Sequence, residues 1–443
     1  MSVSTSGTTA PSQPSTPWQK VIFGAGVGNA LEWYDWSVYA IFAPFFANQF
    51  FNPADPVSAM LATLGVFAAG FVMRPLGGIF FGWFADRTGR QRAMVLSMAI
   101  TALGSLLIAV APTHGSAGLL ASALLLFARL AQGFGIGGEI GASHTFLAES
   151  APAHRRGLWS SSMYVSVTVG VLGATLQAAA LESALTPAQM TGWGWRIPFV
   201  IGALLGIYAF YLRSGLRETS AFTRGAAQRQ PVRRSMWENR AAVLRVVGLT
   251  AGGTVLYYTW AIGAPSHAIT VKNIDPTAAL WASVAANIVF IAALPAWGAL
   301  SDRWGRKPNL IIFSVGLAVL GFPLDRLVQD SAWQLALASS IALVLLAAVC
   351  SILPAVFAEM FPTRVRALGM ALPYSLAVAA TGGTAPYLNT YLASIGLSSV
   401  FTGYCIALLA IGLVVAALMP ETRERTWHST ARPLQRTGHG GCW

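Results

Sequence analysis

Two short basic segments, far apart in the chain, occupy the same place in two ladders of apolar runs. The first reads GWFADRTGRQR from Gly82 to Arg92, and the second reads GALSDRWGRK from Gly298 to Lys307. Laid on one another with a shift of 216 residues in a chain of 443, Asp86 falls on Asp302, Arg87 on Arg303, Gly89 on Gly305 and Arg90 on Arg306. A second echo, offset by 210 residues, aligns Glu149, Pro152 and Arg156 of AESAPAHRRG with Glu359, Pro362 and Arg366 of AEMFPTRVRALG. Apolar runs longer than the ~18 residues of a membrane-crossing helix flank these segments. The chain reads as a duplicated membrane protein.

Composition agrees. Apolar residues make up 55% and charged residues 10%, against roughly 25% charged in soluble domains. The net charge of +12 does not mark a nucleic-acid surface, because the basic residues recur in loops between apolar runs instead of forming one patch. Cys350, Cys405 and Cys442 have neither disulfide-framework nor metal-ligand spacing, and no cofactor is expected. The first seventeen residues are uncharged and rich in Ser, Thr and Pro, unlike a cleaved signal peptide.

Apolar runs fall at 20–47, 57–84, 92–111, 118–149, 158–181 and 195–213, and again at 241–265, 277–300, 308–326, 332–356, 367–393 and 397–419. The expected organisation is a cytoplasmic tail over 1–19, a six-helix half over 20–213, a central loop over 214–240, a second six-helix half over 241–419 and a tail over 420–443. With both termini inside, the inner segments hold 23 of the 28 basic residues, and the outer loops hold only Lys272 and Arg326. The opposite orientation breaks the positive-inside rule almost everywhere. Two parallel six-span halves are the plan of carriers with a pathway between the halves.

A charge inside a span costs at least ~2.5 kcal/mol on insertion scales, so it needs a partner or a wet cavity. The intramembrane set is Glu32, Asp35, Arg74, Arg129 and Glu139. Asp35 and Arg129 each lie ~10 residues from the outer end of their spans, near the midplane, and a direct ion pair between them is expected. Protonating Asp35 would release Arg129 to bind a substrate carboxylate. Glu32, one turn from Asp35, is a second proton site or a partner for Arg74. Gln132 stands beside Arg129 in a glycine-rich stretch that suits close helix packing. GxGxxG occurs there without a preceding strand, so it is no dinucleotide fingerprint. His144 is a lone histidine near a helix end. Arg196 and Lys272 are read as snorkelling to the outer interface. The second half has no midplane charge; Tyr257 and Tyr374 are its candidates for the pathway, with ordinary core aromatics as the competing reading.

These residues carry a resemblance. The paired DRxGR and E-P-R loops and the twelve spans resemble the major facilitator superfamily. GNALEWYDW (28–36), FAAGFVMRPLGG (67–78), ARLAQGFGIGGE (128–139) and GWGWRIPF (192–199) resemble its metabolite:proton symporter branch. The resemblance implies an all-α integral membrane protein of two pseudo-symmetric six-helix halves. It further implies a monomer of the inner (plasma) membrane that is not an enzyme and imports a small organic acid with protons. A dicarboxylate or 2-oxo acid such as α-ketoglutarate is the first expectation, and a zwitterionic osmolyte (proline or betaine) the second. A non-transporting sensor with a carrier-like body is a third. Proton coupling falls to Asp35, Arg129 and Glu32, and substrate binding to Arg74, Arg129, Gln132, Tyr257 and Tyr374. The basic loops become a cytoplasmic gate of Asp86, Arg87, Arg90, Glu149, Arg156, Asp302, Arg306, Glu359 and Arg366. There Glu149 and Glu359 are free to pair with Arg90 and Arg306 or with Arg156 and Arg366.

Overall fold

The computed structural model describes residues 18–52, 54–137, 151–214, 236–362 and 365–423. Most of the expected tails and central loop lie outside these residues, as do Glu139, His144, Glu149, Cys442 and the side chains of Asp86 and Arg90.

In a hydrocarbon environment each backbone N–H and C=O must find its partner within its own segment, so apolar runs of this length become helices. The first six are α1 (Trp18–Phe50), α2 (Pro56–Thr88), α3 (Arg90–Val110), α4 (Leu119–Ile136), α5 (Arg156–Ala184) and α6 (Arg196–Ser214). The second six are α7 (Arg240–Leu256), α8 (Pro276–Trp304), α9 (Arg306–Leu327), α10 (Ala332–Cys350), α11 (Arg366–Ala377) and α12 (Ser398–Leu418). Ten of these rods are long and apolar enough to cross a membrane over described residues, and α1 and α11 complete the twelve. Helices α2 and α8 start alike: Asp55 and Asp275 accept the N–H of Ser58 and Ala278, at 3.1 and 2.9 Å, with Pro56 and Pro276 next in the chain. Proline fits that first helical position because its missing N–H has no partner to lose there.

The repeated basic segments are not loops. Helix α2 runs through Asp86 to Thr88 and α3 begins at Arg90; α8 runs through Asp302 to Trp304 and α9 begins at Arg306. Each turn is one glycine, Gly89 at φ 105° and Gly305 at φ 103°, a region that side chains with a Cβ avoid. These two turns lie at the same end of the bundle, the basic end. The other end is the far end.

Helices α7 and α11, expected as continuous, are interrupted. A π turn over Tyr257–Ile262 follows α7 and another over Val378–Gly382 follows α11, before shorter helices at Ala264–Thr270 and Ala385–Ser394. The two turns meet: a Cβ on Gly382 would lie 2.9 Å from Tyr258 Cδ2. An extra residue in a uniformly apolar helix leaves no trace in its hydrophobic pattern, so the sequence is silent about it.

The two groups of six helices face one another across a seam that is closed at both ends. At the basic end α5 crosses α8 so tightly that a Cβ on Gly157 would lie 2.6 Å from the Gly298 carbonyl oxygen. At the far end Ser266 Oγ donates to the Ala40 carbonyl at 2.6 Å, and Trp281 Nε1 donates to Ser183 Oγ at 3.3 Å. Arg196, at the start of α6, reaches across to α3. Its guanidinium caps the end of α3, donating to the carbonyls of Ala109 and Ala111 at 2.7 and 2.9 Å, where those oxygens lack helical partners.

Candidate functional site

Midway along the seam, α1 supplies a tryptophan ladder. Trp33 meets Tyr257 at 5.8 Å and Tyr258 at 6.4 Å, while Trp36 packs on Phe71 at 4.7 Å and Phe67 at 5.5 Å. Tyr258 closes the cluster from the second group, with its ring 5.2 Å from Phe71.

Two guanidinium groups are sunk into these rings. Arg74 from α2 is 2% exposed and Arg129 from α4 is 0% exposed. Both lie 4.0 Å from the Trp36 ring. Arg74 also faces Phe71 at 4.3 Å, and Arg129 faces Tyr39 at 4.4 Å. Desolvated cation–π contacts of this kind contribute about 2 kcal/mol each, short of what stripping water from a buried ion costs. The guanidiniums keep hydrogen-bonding capacity: Arg74 Nε and Arg129 Nε and Nη2 make no hydrogen bond among the described residues. Buried donors left over in this way suit the bidentate capture of a carboxylate.

Asp35 is 5% exposed and sits on the adjacent face of α1. It accepts hydrogen bonds from Ser105 Oγ and, at 3.0 Å, from Gln132 Nε2. The expected direct pair with Arg129 is not formed. Gln132 stands between them, taking Arg129 Nη1 on its Oε1 at 2.9 Å while its amide N–H donates to Asp35. The reason is geometric. The Arg129 guanidinium is held over Trp36 and Tyr39, and a side chain with both a donor and an acceptor can bridge the remaining gap to Asp35. The one amide thus couples acid to base, and flipping or losing it breaks the link.

Tyr257 is buried at the seam against Trp33 and Tyr164. Tyr374 is buried and shares a hydrogen bond with Tyr164 across the seam. Glu32 is partly buried and lines a crevice with Asp35.

The residues of the second group expected to form a gate converge at the basic end. Asp302 accepts the backbone N–H of Gly157 and of Leu158, both at 2.8 Å, and pairs with Arg306 at 2.9 Å. An aspartate in the last turn of its own helix opposes that helix's dipole, but here it caps the start of α5, where the dipole favours it. Glu359, on the short helix Leu353–Met360 that follows α10, pairs with Arg306 at 3.4 Å and lies 4.0 Å from Arg156, so it ties that helix to α9 and α5. Arg366 donates from Nε to the Ala358 carbonyl at 2.9 Å. Arg87 lies over the Trp83 ring at 4.3 Å. The counterparts expected in the first group, Asp86, Arg90 and Glu149, fall outside the described side chains.

Several participants were not read from the sequence. Ser105 gives no signal, since a serine in an apolar helix ordinarily bonds its own backbone. Trp33 and Trp36 stand openly in the EWYDW stretch as neighbours of both acids. Glu421, just past α12, takes the backbone N–H groups of Arg306 and Lys307 at 2.9 and 3.1 Å, and Thr422 Oγ1 donates to Glu359 at 2.7 Å. These two residues strap the end of the described chain to the gate.

Comparison with known proteins gives matches along most of the chain. The family model described as "Sugar (and other) transporter" matches residues 21–243, and the one described as "Major Facilitator Superfamily" matches residues 249–439. The α-ketoglutarate permease of Escherichia coli (strain K12) is 38% identical, covering 90% of this chain and 92% of its own. A proline/betaine transporter of the same strain is 32% identical, with 92% and 84% covered. A citrate-proton symporter of Klebsiella pneumoniae is also 32% identical, with 91% and 92% covered. Among solved structures, a partially occluded, inward-open xylose transporter from E. coli superposes with a TM-score of 0.70 at 18% identity, covering 92% of this chain and 99% of its own.

Proposed function

This chain belongs to the major facilitator superfamily, and on that premise we propose that it is a proton-coupled symporter importing a small organic acid, a dicarboxylate or 2-oxo acid, by alternating access. One observation carries the reading: Arg74 and Arg129 are both buried against Trp36 with donors to spare. An anion with two carboxylates gives each guanidinium a partner. A zwitterion such as proline or betaine brings one carboxylate and a cation, and the second arginine repels that cation. Two of the three named relatives support this reading, the permease at 38% identity and the citrate-proton symporter at 32%, while the proline/betaine transporter at 32% corresponds to the zwitterion alternative.

In this mechanism Asp35 carries the proton. With Asp35 ionised, Gln132 is held between acid and arginine. Protonation removes the charge that orients the amide and frees Arg129 for the substrate. Binding of proton and substrate together then favours release of the Asp302–Gly157 and Glu359–Arg306 contacts, and the seam opens at the basic end. The distribution of Lys and Arg supports the basic end as cytoplasmic, in the inner membrane, with the two six-helix halves rocking about the seam. The bilayer, the proton and the substrate are the partners of a single working chain.

The test is uptake into vesicles with an imposed pH gradient, using a panel of labelled dicarboxylates, 2-oxo acids, proline and betaine. The expected result is accumulation of an acid that collapses when the gradient is dissipated. Accumulation of proline or betaine alone would overturn the reading.

A further inference from the structure

Beside Asp35, on the wall away from the tryptophan ladder, lies a narrow, partly open crevice of about 40 Å³ lined by α1, α3, α4 and α6. Its polar lining is Glu32 and Asp35 from α1 and Ser97 and Thr101 from α3. Gly28, Asp35 and Glu32 form one stripe on α1, at spacings of three, four and seven residues. Trp33 and Trp36 form the neighbouring stripe that faces the seam. A helix turns by about 100° per residue, so Asp35 and Trp36 look in different directions. The acid and the two arginines therefore meet different compartments.

Among the described residues the crevice extends from Asp35 towards the basic end. On α3 the lining residues Ser97 and Thr101 come before Ser105, nearer the start of the helix at the basic end. On α4 Gly135 comes after Gln132, again towards the basic end. On α6 Gly202 is level with Asp35, and Gly206 is one turn further towards the basic end. From Asp35 to Gly28 the crevice follows seven residues of helix, about 10 Å. Glycines keep it open: a Cβ on Gly202 would come 2.5 Å from Asp35 Oδ1, and one on Gly206 would come 2.7 Å from Ala102 Cβ. Asp35 and Glu32 are the titratable groups of the lining. The charged group facing Asp35 from α4 is Arg129, through Gln132, and from α3 and α6 its facing residues are Ser105 and Gly202.

We propose that this crevice is the proton's exit from Asp35 to the cytoplasm, by way of Glu32 and separate from the substrate pathway. The proposal rests on the symport reading above. The O–H bond of protonated Asp35 breaks, its proton passes through water admitted from the basic end, and an O–H bond forms on the Glu32 carboxylate. Glu32 then gives the proton to cytoplasmic water. One proton moves, and no other bond changes. Substrate leaves along the seam while the proton leaves inside the first group of helices, so neither has to wait for the other.

The test uses the full chain in proteoliposomes, with two variants that touch no charge. Ala102→Leu fills the crevice, and Thr101→Val removes a lining hydroxyl at nearly constant volume. Exchange of labelled for unlabelled acid at equal pH needs no proton release, whereas uphill uptake does. For Ala102→Leu the expected result is exchange near the wild-type rate and uphill uptake slowed by roughly tenfold or more. Thr101→Val shows the same split more weakly, and it decides the matter if Ala102→Leu does not fold. Uphill uptake at the wild-type rate, or equal loss of exchange and uptake, in an exchange-competent variant overturns the crevice alone. Wild-type protein that accumulates no acid overturns the symport reading and the crevice with it.

Discussion

The carboxylate of Asp302 takes the backbone N–H of Gly157 at 2.8 Å from across the seam, and its second oxygen takes that of Leu158 at the same distance. A residue near the end of α8 thus caps the start of α5. The capping oxygens and the capped helix belong to different groups of helices, so the proposed opening of the basic end would break this contact.

Asp302→Asn should destabilise the closed basic end. The asparagine offers one acceptor oxygen in place of two and loses its pair with Arg306. Charge-assisted hydrogen bonds contribute about 1.5–3 kcal/mol, so the closed state should lose roughly ten- to hundredfold in population. The measure is the labelling rate of a cysteine placed at Leu158 in membranes, which should rise while the amount of inserted protein stays constant. An unchanged rate would sink the gating role.

Arg74→Lys and Arg129→Lys should each weaken binding of a two-carboxylate substrate by about ten- to hundredfold, since an ammonium cannot offer the paired donors of a guanidinium. Affinity for a monocarboxylate should fall in one variant far more than in the other. Competition by a series of mono- and dicarboxylates resolves this. Equal affinities in all three proteins would make both arginines structural.

Asp35→Asn retains an acceptor for Gln132 and Ser105 but cannot carry a proton. Exchange should continue within a few-fold of wild type, while accumulation driven by a pH gradient should fall to the equilibrium level, a loss of at least about a hundredfold in catalysed proton transfer. Gln132→Leu, which cuts the link between acid and arginine, should uncouple the two processes partly. Full uphill uptake by Asp35→Asn would move the proton site elsewhere.

The twelve rods were legible because run length and loop charge act locally: a span must be apolar along its length, and basic residues stay on one side. Family and fold followed from the same repeats. The site was legible only in its charges. Arg74, Arg129 and Asp35 stand out because a buried charge is costly wherever it lies. Which partner each one takes depends on side-chain reach, and Gln132 resolves it in a way that depth along the helix cannot reveal. Helix α2 continuing through Asp86 shows the same limit. A polar segment between apolar runs looks like a loop until the single turn glycine is seen at positive φ. The strap at Glu421 and Thr422 has a purely tertiary cause, since its partners lie more than sixty residues away in sequence.

Glu421 provides a test of that strap through pH. Partial desolvation pushes its carboxyl up, but the N–H groups of Arg306, Lys307, Arg423 and Thr422 outweigh it and hold the group below the ordinary carboxylate range. A lowered folded-state pKa gives stability that is present above the unfolded value of about 4.3 and is lost as pH falls through the folded one. The side chain is exposed, so the effect is modest. Glu421→Gln keeps one acceptor oxygen but cannot ionise. The purified protein in detergent should therefore lose less Tm than wild type between pH 6 and the acid limb below about pH 4. At neutral pH the variant should be the less stable of the two. Gly305→Ala should be worse than either, because it places a Cβ 2.6 Å from the Glu421 Oε2 atom at a positive-φ turn. Parallel acid melting curves for wild type and Glu421→Gln would mean that the strap does not hold α9 in solution.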